Sequence, residues 1–443
     1  MHDLMKRAQE DNVQFVCLQF TDVTGAVKSA DIPIGRLPSA LDDGVWFDGS
    51  SVEGFARIQE SDMRLVPDPG TYAVLPWSQP ERRRARLFCD IYDAEGKPFG
   101  GDPRGVLQRM LRRLEERRWQ FNVGPEPEFF LLRRNGSEGI RPVPHDVGGY
   151  FDFSASDEAQ RVRAELMLAL ISMGLEVEMG HHEVALGQHE IDFRFTDALR
   201  TADNVVTLKS TVKALAAHHG LVATFMPKPI FGINGSGMHT HQSIYDEQGG
   251  NVFFDGGDAR HLSSAAYGFI AGQLEHARAM AAVVAPTVNS YKRIVPGYEA
   301  PVYVCWAQIN RSALIRIPRH SPGHEGSTRA ELRFPDPSCN PYLAFTVMLA
   351  AGLDGIERGL RAPEPLDQVN LYELEPEELM ARGVQQLPGS LPEALEALAG
   401  DSVLRQALGE TAYEAFVRAK TSEWDTFRTR VTDWEIETYL EVA

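Results

Sequence analysis

Residues 124–132 of the chain read Gly-Pro-Glu-Pro-Glu-Phe-Phe-Leu-Leu, the composition of a strand with acids on one face. Residues i and i+2 of a β-strand point to the same face, so Glu126 and Glu128 share a face. Three further segments place charged or polar residues in the same way: Glu183 and Glu190 in residues 181–192; His239, His241 and Ser243 in residues 238–243; Arg329, Glu331 and Arg333 in residues 329–333. Together they predict a sheet with one charged face.

A charged strand face is ordinarily the solvated side of an antiparallel sheet. Four such segments in one chain weaken that interpretation. If Leu186 and Gly187 form a two-residue turn, residues 181–192 are a hairpin in which Glu183 lies opposite Glu190, although Leu-Gly is not a favoured turn pair. Carboxylates that face each other repel unless a cation lies between them. The pattern therefore favours a metal site.

The candidate ligands are mostly oxygen donors, which suit Mg²⁺ or Mn²⁺ better than Zn²⁺. They are Glu126, Glu128, Glu183, Glu190, His239 and Glu331. Two metals with about three side chains each would leave positions open for phosphate oxygens and water. Whether Mg²⁺ or Mn²⁺ is preferred stays open.

One span of about forty residues contains Arg293, Arg311, Arg316, Arg329 and Arg333. Guanidinium groups bind carboxylate and phosphate through paired hydrogen bonds, so the arginines suit the same chemistry. A glycine-rich loop, residues 231–239, runs into one of the charged strands. The chain has no Walker A, Rossmann, HExxH or GxSxG motif, so any nucleotide would bind through another architecture.

The composition excludes several classes of protein. The 443 residues include 44 Lys+Arg and 62 Asp+Glu, a net charge of −18, which argues against a nucleic-acid partner. No apolar run approaches the roughly 18 residues that a membrane helix needs, and the N-terminus lacks a signal-peptide core. Four widely spaced cysteines suit a reducing compartment. We therefore expect a cytoplasmic protein with no membrane partner.

A Gly/Pro cluster at residues 97–103 predicts a domain boundary, with an N-terminal domain at residues 1–100 and a larger domain at residues 101–443. The first domain is rich in strand patterns, and the second mixes helices with strands. Apolar residues recur at helical spacing in residues 106–114, and further helices are predicted at residues 157–173, 202–217 and 262–285. The predicted fold class is α+β.

Taken in order, these segments resemble the glutamine synthetase family over essentially the whole chain. The marks are residues 47–55 (FDGSSVEGF), 124–130 (GPEPEFF), 181–190 (HHEVALGQHE), 226–229 (MPKP), 234–239 (NGSGMH), 289–299 (NSYKRIVPGYE), 310–313 (NRSA) and 334–337 (FPDP). The resemblance to the bacterial type I members implies a β-grasp-like N-terminal domain. It also implies a catalytic domain whose antiparallel sheet lines an active-site funnel, and a dodecamer of two hexameric rings with active sites between subunits.

The implied reaction joins ammonium to the side-chain carboxylate of L-glutamate, with ATP as co-substrate and γ-glutamyl phosphate as intermediate. By position, Glu128, Glu183 and Glu190 would hold the first metal, and Glu126, His239 and Glu331 the second. The implied glutamate and ammonium contacts are Ser51, Tyr150, Glu183, Asn234, Gly235, Arg293, Glu299 and Arg333. The implied nucleotide and phosphate contacts are Glu178, His241, Ser243, Arg311, Arg316 and Arg329.

Three residues have implied catalytic roles. Asp48 of a neighbouring subunit would take the proton from ammonium, because the attacking species must be ammonia. Glu299 would close over the site and shield the intermediate. Arg311 would stabilise the transferring phosphoryl group.

Some features depart from the family pattern or leave alternatives open. Residues 307–309 (AQI) stand where the family more often has a serine and polar or basic residues. Tyr372 is a weak candidate for adenylylation, and Arg57 matches a position linked to feedback inhibition. The main alternative is a relative that couples glutamate to a polyamine or another amine. A further alternative is a silent relative that binds a nitrogen-regulatory protein.

Overall fold

The computed structural model describes residues 2–52, 62–134, 142–153, 158–298, 300–321, 323–369, 378–379 and 382–442, without the side chains of Ser51 and Glu158. Three residues with predicted roles, Arg57, Glu299 and Tyr372, lie outside the described residues.

The N-terminal part of the chain forms a six-stranded sheet. Its strands are β1 (Phe15–Thr21), β2 (Val27–Pro33), β3 (Val45–Asp48), β4 (Asp62–Pro67), β5 (Ala73–Val74) and β6 (Arg84–Tyr92), and its helices are α1 (His2–Glu10) and α2 (Leu37–Asp43). The strand order is β2-β1-β6-β4-β3, with β5 paired to β6. Val16, Leu18, Leu65 and Leu87 are fully buried, because alternate strand positions point into one core.

A second, nine-stranded sheet forms the centre of the remaining chain. Its strands are β7 (Trp119–Arg133), β8 (Val177–His182), β9 (Gln188–Phe193), β10 (Thr196–Asp197), β11 (Leu221–Thr224), β12 (Met238–Asp246), β14 (Trp306–Ala307), β15 (Ile315–Arg316) and β16 (Ala330–Leu332). The order is β14-β15-β16-β12-β7-β9-β8, and β10 and β11 also pair with β7. β13 (Tyr303–Val304) and β17 (Gln385–Gln386) form a separate pair. Most neighbours are antiparallel, as predicted.

Helices pack around this sheet. They are α3 (Pro103–Glu115), α4 (Glu158–Ser172), α5 (Ala198–His218), α6 (Ser264–Glu275), α7 (Ala277–Val284), α8 (Ser290–Arg293), α9 (Pro341–Glu357), α10 (Leu391–Gly400), α11 (Ser402–Leu408), α12 (Glu410–Phe427) and α13 (Asp433–Tyr439). α3 begins where the sequence requires, because Asp102 accepts a hydrogen bond from Arg104 N and Pro103 occupies the first turn. In the part of the chain that the structure describes, no helix is long and apolar enough to cross a membrane.

The single helix predicted at residues 262–285 is wrong, because α6 and α7 are separate helices. The chain leaves helical geometry at His276 (φ −90°, ψ 2°). The His276 imidazole lies between two carboxylates, 2.5 Å from Asp401 and 3.1 Å from Asp354. These partners are far away in sequence, so the local apolar pattern contained no sign of the break.

Close helix packing and a buried ion cluster hold the larger part together. A Cβ on Gly272 of α6 would lie 2.1 Å from Ala351 O of α9, so only glycine permits this approach. The Arg104 guanidinium of α3 contacts Asp68 and Asp90 of the N-terminal part and Asp203 of α5, at 2.6–3.1 Å. Arg104 is 4% exposed, and its contacts join the N-terminal sheet to α3 and α5.

Candidate active site

The register of the second sheet aligns the predicted site residues across its strands. His239 lies opposite Glu126, and Glu190 lies opposite Glu128. On β16, Glu331 lies opposite His241 of β12 and also opposite Arg316 of β15. Strand alternation therefore brings acids, imidazoles and a guanidinium to one face.

The predicted register of the hairpin is wrong. His182 pairs with His189 and His181 with Glu190, and Glu183 N donates to Gln188 O (2.8 Å). Glu183 therefore lies opposite Gln188, which is two residues before Glu190, the partner predicted from the sequence. The connection is a longer loop and not a two-residue Leu-Gly turn. Because side chains alternate with a period of two, a shift of two residues keeps both glutamates on the same face.

The first acidic cluster contains Glu183 and Glu190 together with His181, which the sequence did not single out. Ligand-type atoms of the three lie within 4.8 Å of one another. Glu128 lies beside them, and its Oε2 accepts from Gln188 Nε2 (2.7 Å) and Gly237 N (3.0 Å). Burial, and then the neighbouring carboxylates Glu190 and Glu183, raise the pKa of Glu128 well above its usual value. The cluster thus concentrates negative charge in a buried place.

The second cluster contains Glu126, His241 and Glu331, whose ligand-type atoms also lie within 4.8 Å. His239 is close to both acids, 3.4 Å from Glu126 and 3.9 Å from Glu331. His241 Nε2 lies 2.8 Å from Glu126 Oε1. Burial raises the pKa of Glu126, but hydrogen bonds from the two imidazoles outweigh it and lower the pKa overall.

Three arginines contact the second cluster, and a fourth, Arg293, lies near Glu128. Arg333 Nε donates to Glu331 Oε1 (3.1 Å), and Arg316 contacts the other oxygen of the same carboxylate. Arg329 Nε donates to His241 Nδ1 (3.1 Å). Arg293 is 4% exposed, and its guanidinium donates to the backbone carbonyl of Phe334 at 2.9 Å. These contacts fix the direction of the guanidinium groups before any ligand binds.

Two adjacent cavities contain nearly all of these side chains. The first, of about 390 Å³, is lined among others by Glu126, Glu128, Tyr150, Glu183, Glu190, Asn234, Gly235, His239, Arg293, Arg311, Arg316, Glu331 and Arg333. The second, of about 380 Å³, is lined among others by Glu126, Glu178, His241, Ser243 and Arg329. Glu126 belongs to both, so the cavities meet at the second cluster.

The first cavity is also lined by residues that were not predicted, among them His181, Gln188 and Asp192. Asp192 lines both cavities, and its Oδ1 is buried with no hydrogen-bond partner among the described atoms. Burial, and then Glu126, raise its pKa to about 6. The signal was present in the sequence, because Asp192 stands two residues after Glu190 and strand alternation places both on one face.

Two predicted residues lie away from the cavities. Asp48 is exposed at the end of β3, where its carboxylate accepts from Ser50 N (2.8 Å), and it lines neither cavity. Ser51 follows in the same turn. Hydrogen bonding to Ser50 lowers the pKa of Asp48, so this carboxylate is ionised at neutral pH. Within one chain the site therefore lacks the predicted proton acceptor.

The donor set fits divalent metal ions. Buried carboxylates that repel one another are stabilised by a hard cation, and oxygen donors with an occasional imidazole suit Mg²⁺ or Mn²⁺. The unpartnered oxygen of Asp192 adds a further acceptor beside both clusters. The residues therefore fit a metal-dependent site on chemical grounds.

Two family models match the chain. The model described as glutamine synthetase, beta-Grasp domain, matches residues 12–94, and the model described as glutamine synthetase, catalytic domain, matches residues 100–439. The chain belongs to the glutamine synthetase family. This confirms the resemblance inferred from the sequence, and it confirms the α+β fold with a β-grasp N-terminal domain.

Individual relatives agree with this membership. A glutamine synthetase of Thermus thermophilus is 52% identical over 99% of this chain and 98% of its own length. One of Halobacterium salinarum is 50% identical over 98% of this chain and 95% of its own length. A solved structure titled "GmaS/ADP complex-Conformation 1" is 35% identical, with a TM-score of 0.90 over 99% of this chain and 100% of that one.

Family membership makes this chain an enzyme, a ligase of the glutamine synthetase type. The family uses ATP, glutamate, ammonium and a divalent metal, and its members are typically oligomers. The two cavities hold side chains suited to these ligands, with acids for metal and ammonium and guanidinium groups for phosphate and carboxylate.

Proposed function

We propose that this chain joins ammonium to the side-chain carboxylate of L-glutamate through γ-glutamyl phosphate, giving L-glutamine, ADP and phosphate. The observation that supports this most strongly is the first cavity, where six metal-ligand candidates lie beside four arginines. A carboxylate is a poor acylating agent, so it must first be activated by a phosphoryl group. Phosphoryl transfer depends mainly on positioning and on neutralising charge, which such a cavity supplies.

The proposed metals are Mg²⁺ or Mn²⁺, and each chain has two metal sites. Glu128, Glu183 and Glu190 would hold the first, and Glu126, His239 and Glu331 would hold the second; all six line the first cavity. When bound, the metals neutralise charge on the phosphate and carboxylate oxygens and orient them. The close approach of His181 to the first group and of His241 to the second makes these imidazoles additional ligand candidates.

The arginines divide between the two substrates. The family resemblance assigns glutamate binding to Arg293, Arg333, Asn234 and Gly235, and all four line the first cavity. Arg311, Arg316 and Arg329 bind the phosphates, and Arg311 neutralises the transferring phosphoryl group. Glu178, His241 and Ser243 line the second cavity and contact the nucleotide.

The ammonium site needs a neighbouring subunit. Asp48 is exposed and ionised at the end of β3, so a second copy of the chain can deliver it to this cavity as the group that accepts a proton. Ser51, Tyr150 and Glu183 complete the ammonium site, and Glu299 closes over it. A dodecamer of two hexameric rings would place each Asp48 next to its neighbour's cavity.

Three further predictions belong to this proposal, and one alternative to it stays open. The chain divides into an N-terminal domain at residues 1–100 and a catalytic domain at residues 101–443. The enzyme works in the cytoplasm. A nitrogen-regulatory protein is a candidate partner. A ligase for polyamines or other amines is the alternative, but the curated relatives at about 50% identity carry the name glutamine synthetase.

The test is phosphate release from ATP by the purified protein with glutamate and Mg²⁺ or Mn²⁺. Ammonium is compared with putrescine, spermidine and ethylamine as acceptors. We expect release with ammonium, lost on Asp48→Ala and retained in Asp42→Ala, an exposed acid in the same part of the fold. Phosphate release only with the larger amines would mean that one of them, and not ammonium, is the acceptor. No phosphate release with any acceptor would contradict the proposed activity.

A further inference from the structure

Behind the hairpin of β8 and β9, the Asp146 carboxylate lies among three imidazoles. His145 Nε2 is 2.8 Å, His182 Nε2 3.1 Å and His189 Nε2 4.0 Å from Asp146 Oδ2. All three imidazoles are at least 90% buried. None of the four residues has a role in the proposed reaction, and none of them lines either cavity. The cluster therefore needs an explanation of its own.

Asp146 also binds the hairpin loop itself. Its Oδ1 accepts from the backbone N–H of Gly187 at 2.8 Å. Gly187 adopts φ +71°, and a Cβ there would lie 2.9 Å from Leu131 O, so the loop has little room to rearrange. One carboxylate thus contacts both the end of β8, through His182, and the residue just before β9.

The imidazoles are themselves held by backbone carbonyls. His145 Nδ1 donates to Leu131 O (3.0 Å), and His182 Nδ1 donates to Glu183 O (2.7 Å). Because a carbonyl oxygen can only accept, these contacts fix which way each ring faces. His182 therefore links Asp146 on one side to the backbone of Glu183, a proposed metal ligand, on the other.

His145, Asp146 and His189 bring ligand-type atoms within 4.8 Å, the spacing of a metal site. Arg163 argues against a metal here, because its Nη1 lies 2.8 Å from His189 Nδ1 and its side chain is buried. A permanent positive charge beside the ring repels a second cation. The cluster is better explained as a charge-balanced support for the hairpin.

The segment that carries Asp146, residues 142–153, also reaches the first cavity. Tyr150 lines that cavity, and Phe151 N donates to His182 O (3.0 Å). The Phe151 ring stacks on the His181 ring with centroids 4.5 Å apart. The segment and the hairpin therefore contact each other at several points, and Asp146, whose side chain is 16% exposed, supplies the carboxylate among them.

We propose that Asp146 is a positioning residue, which fixes the loop between β8 and β9 and thereby the geometry of Glu183 and Glu190 for metal binding. This inference rests on the proposed function only through the metal site. Groups that support metal ligands from behind typically contribute 10–100-fold to metal affinity. Asp146 acts in this way without touching metal or substrate.

The test measures Mn²⁺ binding to the full-length protein by titration calorimetry, independently of turnover. Asp146→Ala removes every contact of the carboxylate, and we expect Mn²⁺ affinity to fall by about 10–100-fold. Asp146→Asn keeps an oxygen that can accept from Gly187 N, so we expect a smaller loss. The control is Glu176→Gln, which removes an exposed contact with Arg194 (3.1 Å) at the other end of the same hairpin. We expect that control to bind like the parent.

The outcomes distinguish a failure of the proposed metal site from a failure of the positioning role of Asp146. Parent protein that binds no Mn²⁺ would contradict the metal site of the proposed function, and the role of Asp146 with it. Parent protein that binds Mn²⁺ as tightly as folded Asp146 variants would contradict only the role of Asp146. An equal loss in Glu176→Gln would also overturn it, because the hairpin would then be sensitive to any change. If Asp146→Ala does not fold, Asp146→Asn decides by the same comparison.

Discussion

Glu128 and Glu190 lie directly opposite each other on adjacent antiparallel strands, and both are at least 90% buried. Burial raises the pKa of each carboxyl, and the neighbouring acids raise it further; that of Glu190 reaches about 10. A metal-free protein at neutral pH therefore keeps a proton on Glu190. A divalent cation relieves the repulsion, so metal binding and folding stability are coupled.

Replacing Glu128 by Gln tests that coupling. The parent should gain thermal stability from Mg²⁺ or Mn²⁺, by about 2.7 kcal/mol at a concentration one hundred times Kd. Glu128→Gln should be at least as stable as the parent without metal, because one buried acid is gone. Adding metal should raise the Tm of Glu128→Gln much less than it raises the Tm of the parent. The measurement is Tm with and without metal.

Glu247→Gln is the control for that experiment, since it changes an exposed acid paired with Arg118. It should show the full increase with metal. An equal increase in Glu128→Gln would mean that Glu128 takes no part in metal binding.

Gly237→Ala should damage the glutamate site. A Cβ at this position would lie 2.4 Å from Arg293 Nη2 and 3.5 Å from Glu128 Oε1. The Arg293 guanidinium is held by the carbonyls of Arg333 and Phe334, so it cannot give way without losing hydrogen bonds. We expect kcat/KM for glutamate to fall by about 10–100-fold, mainly through a higher KM.

Steady-state kinetics with varied glutamate measures this effect. Gly400→Ala is the control, because a Cβ there meets no atom within 4 Å. Unchanged kinetic constants in folded Gly237→Ala would show that Arg293 does not bind glutamate from its present position.

The sequence predicts well which site residues share one face of the sheet. The faces predicted for Glu126, Glu128, His239 and Glu331 meet in one cavity, because side-chain direction depends only on a period of two. The hairpin register was wrong because turn chemistry at Leu186 did not determine the loop length. The error left the face unchanged.

Features that depend on distant partners could not be predicted. The break between α6 and α7 depends on contacts of His276 with Asp354 in α9 and with Asp401, the N-cap residue of α11. The support given by Asp146 depends on a loop that follows it by about forty residues. The role proposed for Asp48 came from the family resemblance alone, because a residue that acts in a neighbouring subunit leaves no periodic pattern in the sequence.

His276 should make stability depend on pH. Burial acts to lower its pKa, but hydrogen bonds to Asp401 and Asp354 outweigh burial and raise it above 6.5. Asp354 also pairs with Arg358, which in turn contacts Glu275. Because the folded-state pKa is the higher one, the stabilisation is complete below about pH 6.5. It is lost as the pH rises through the folded-state value.

His276→Gln should therefore lower the free energy of unfolding by on the order of 2 kcal/mol at pH 6 and by less at pH 9. Denaturant titrations at the two pH values measure this difference. His219→Gln is the control, because it removes an imidazole contact with the half-exposed Glu165. The same loss for His276→Gln at both pH values would contradict the raised pKa.

The most direct measurement follows the side-chain oxygens of glutamate during turnover. Glutamate labelled with oxygen-18 in its side-chain carboxylate is incubated with the protein, ATP, ammonium and Mg²⁺. A carboxylate oxygen that attacks the γ-phosphorus remains on phosphate when ammonia displaces it from carbon. The proposed route through γ-glutamyl phosphate predicts one labelled oxygen in each phosphate and one glutamine per phosphate. Unlabelled phosphate, or phosphate formed without glutamine, would contradict it.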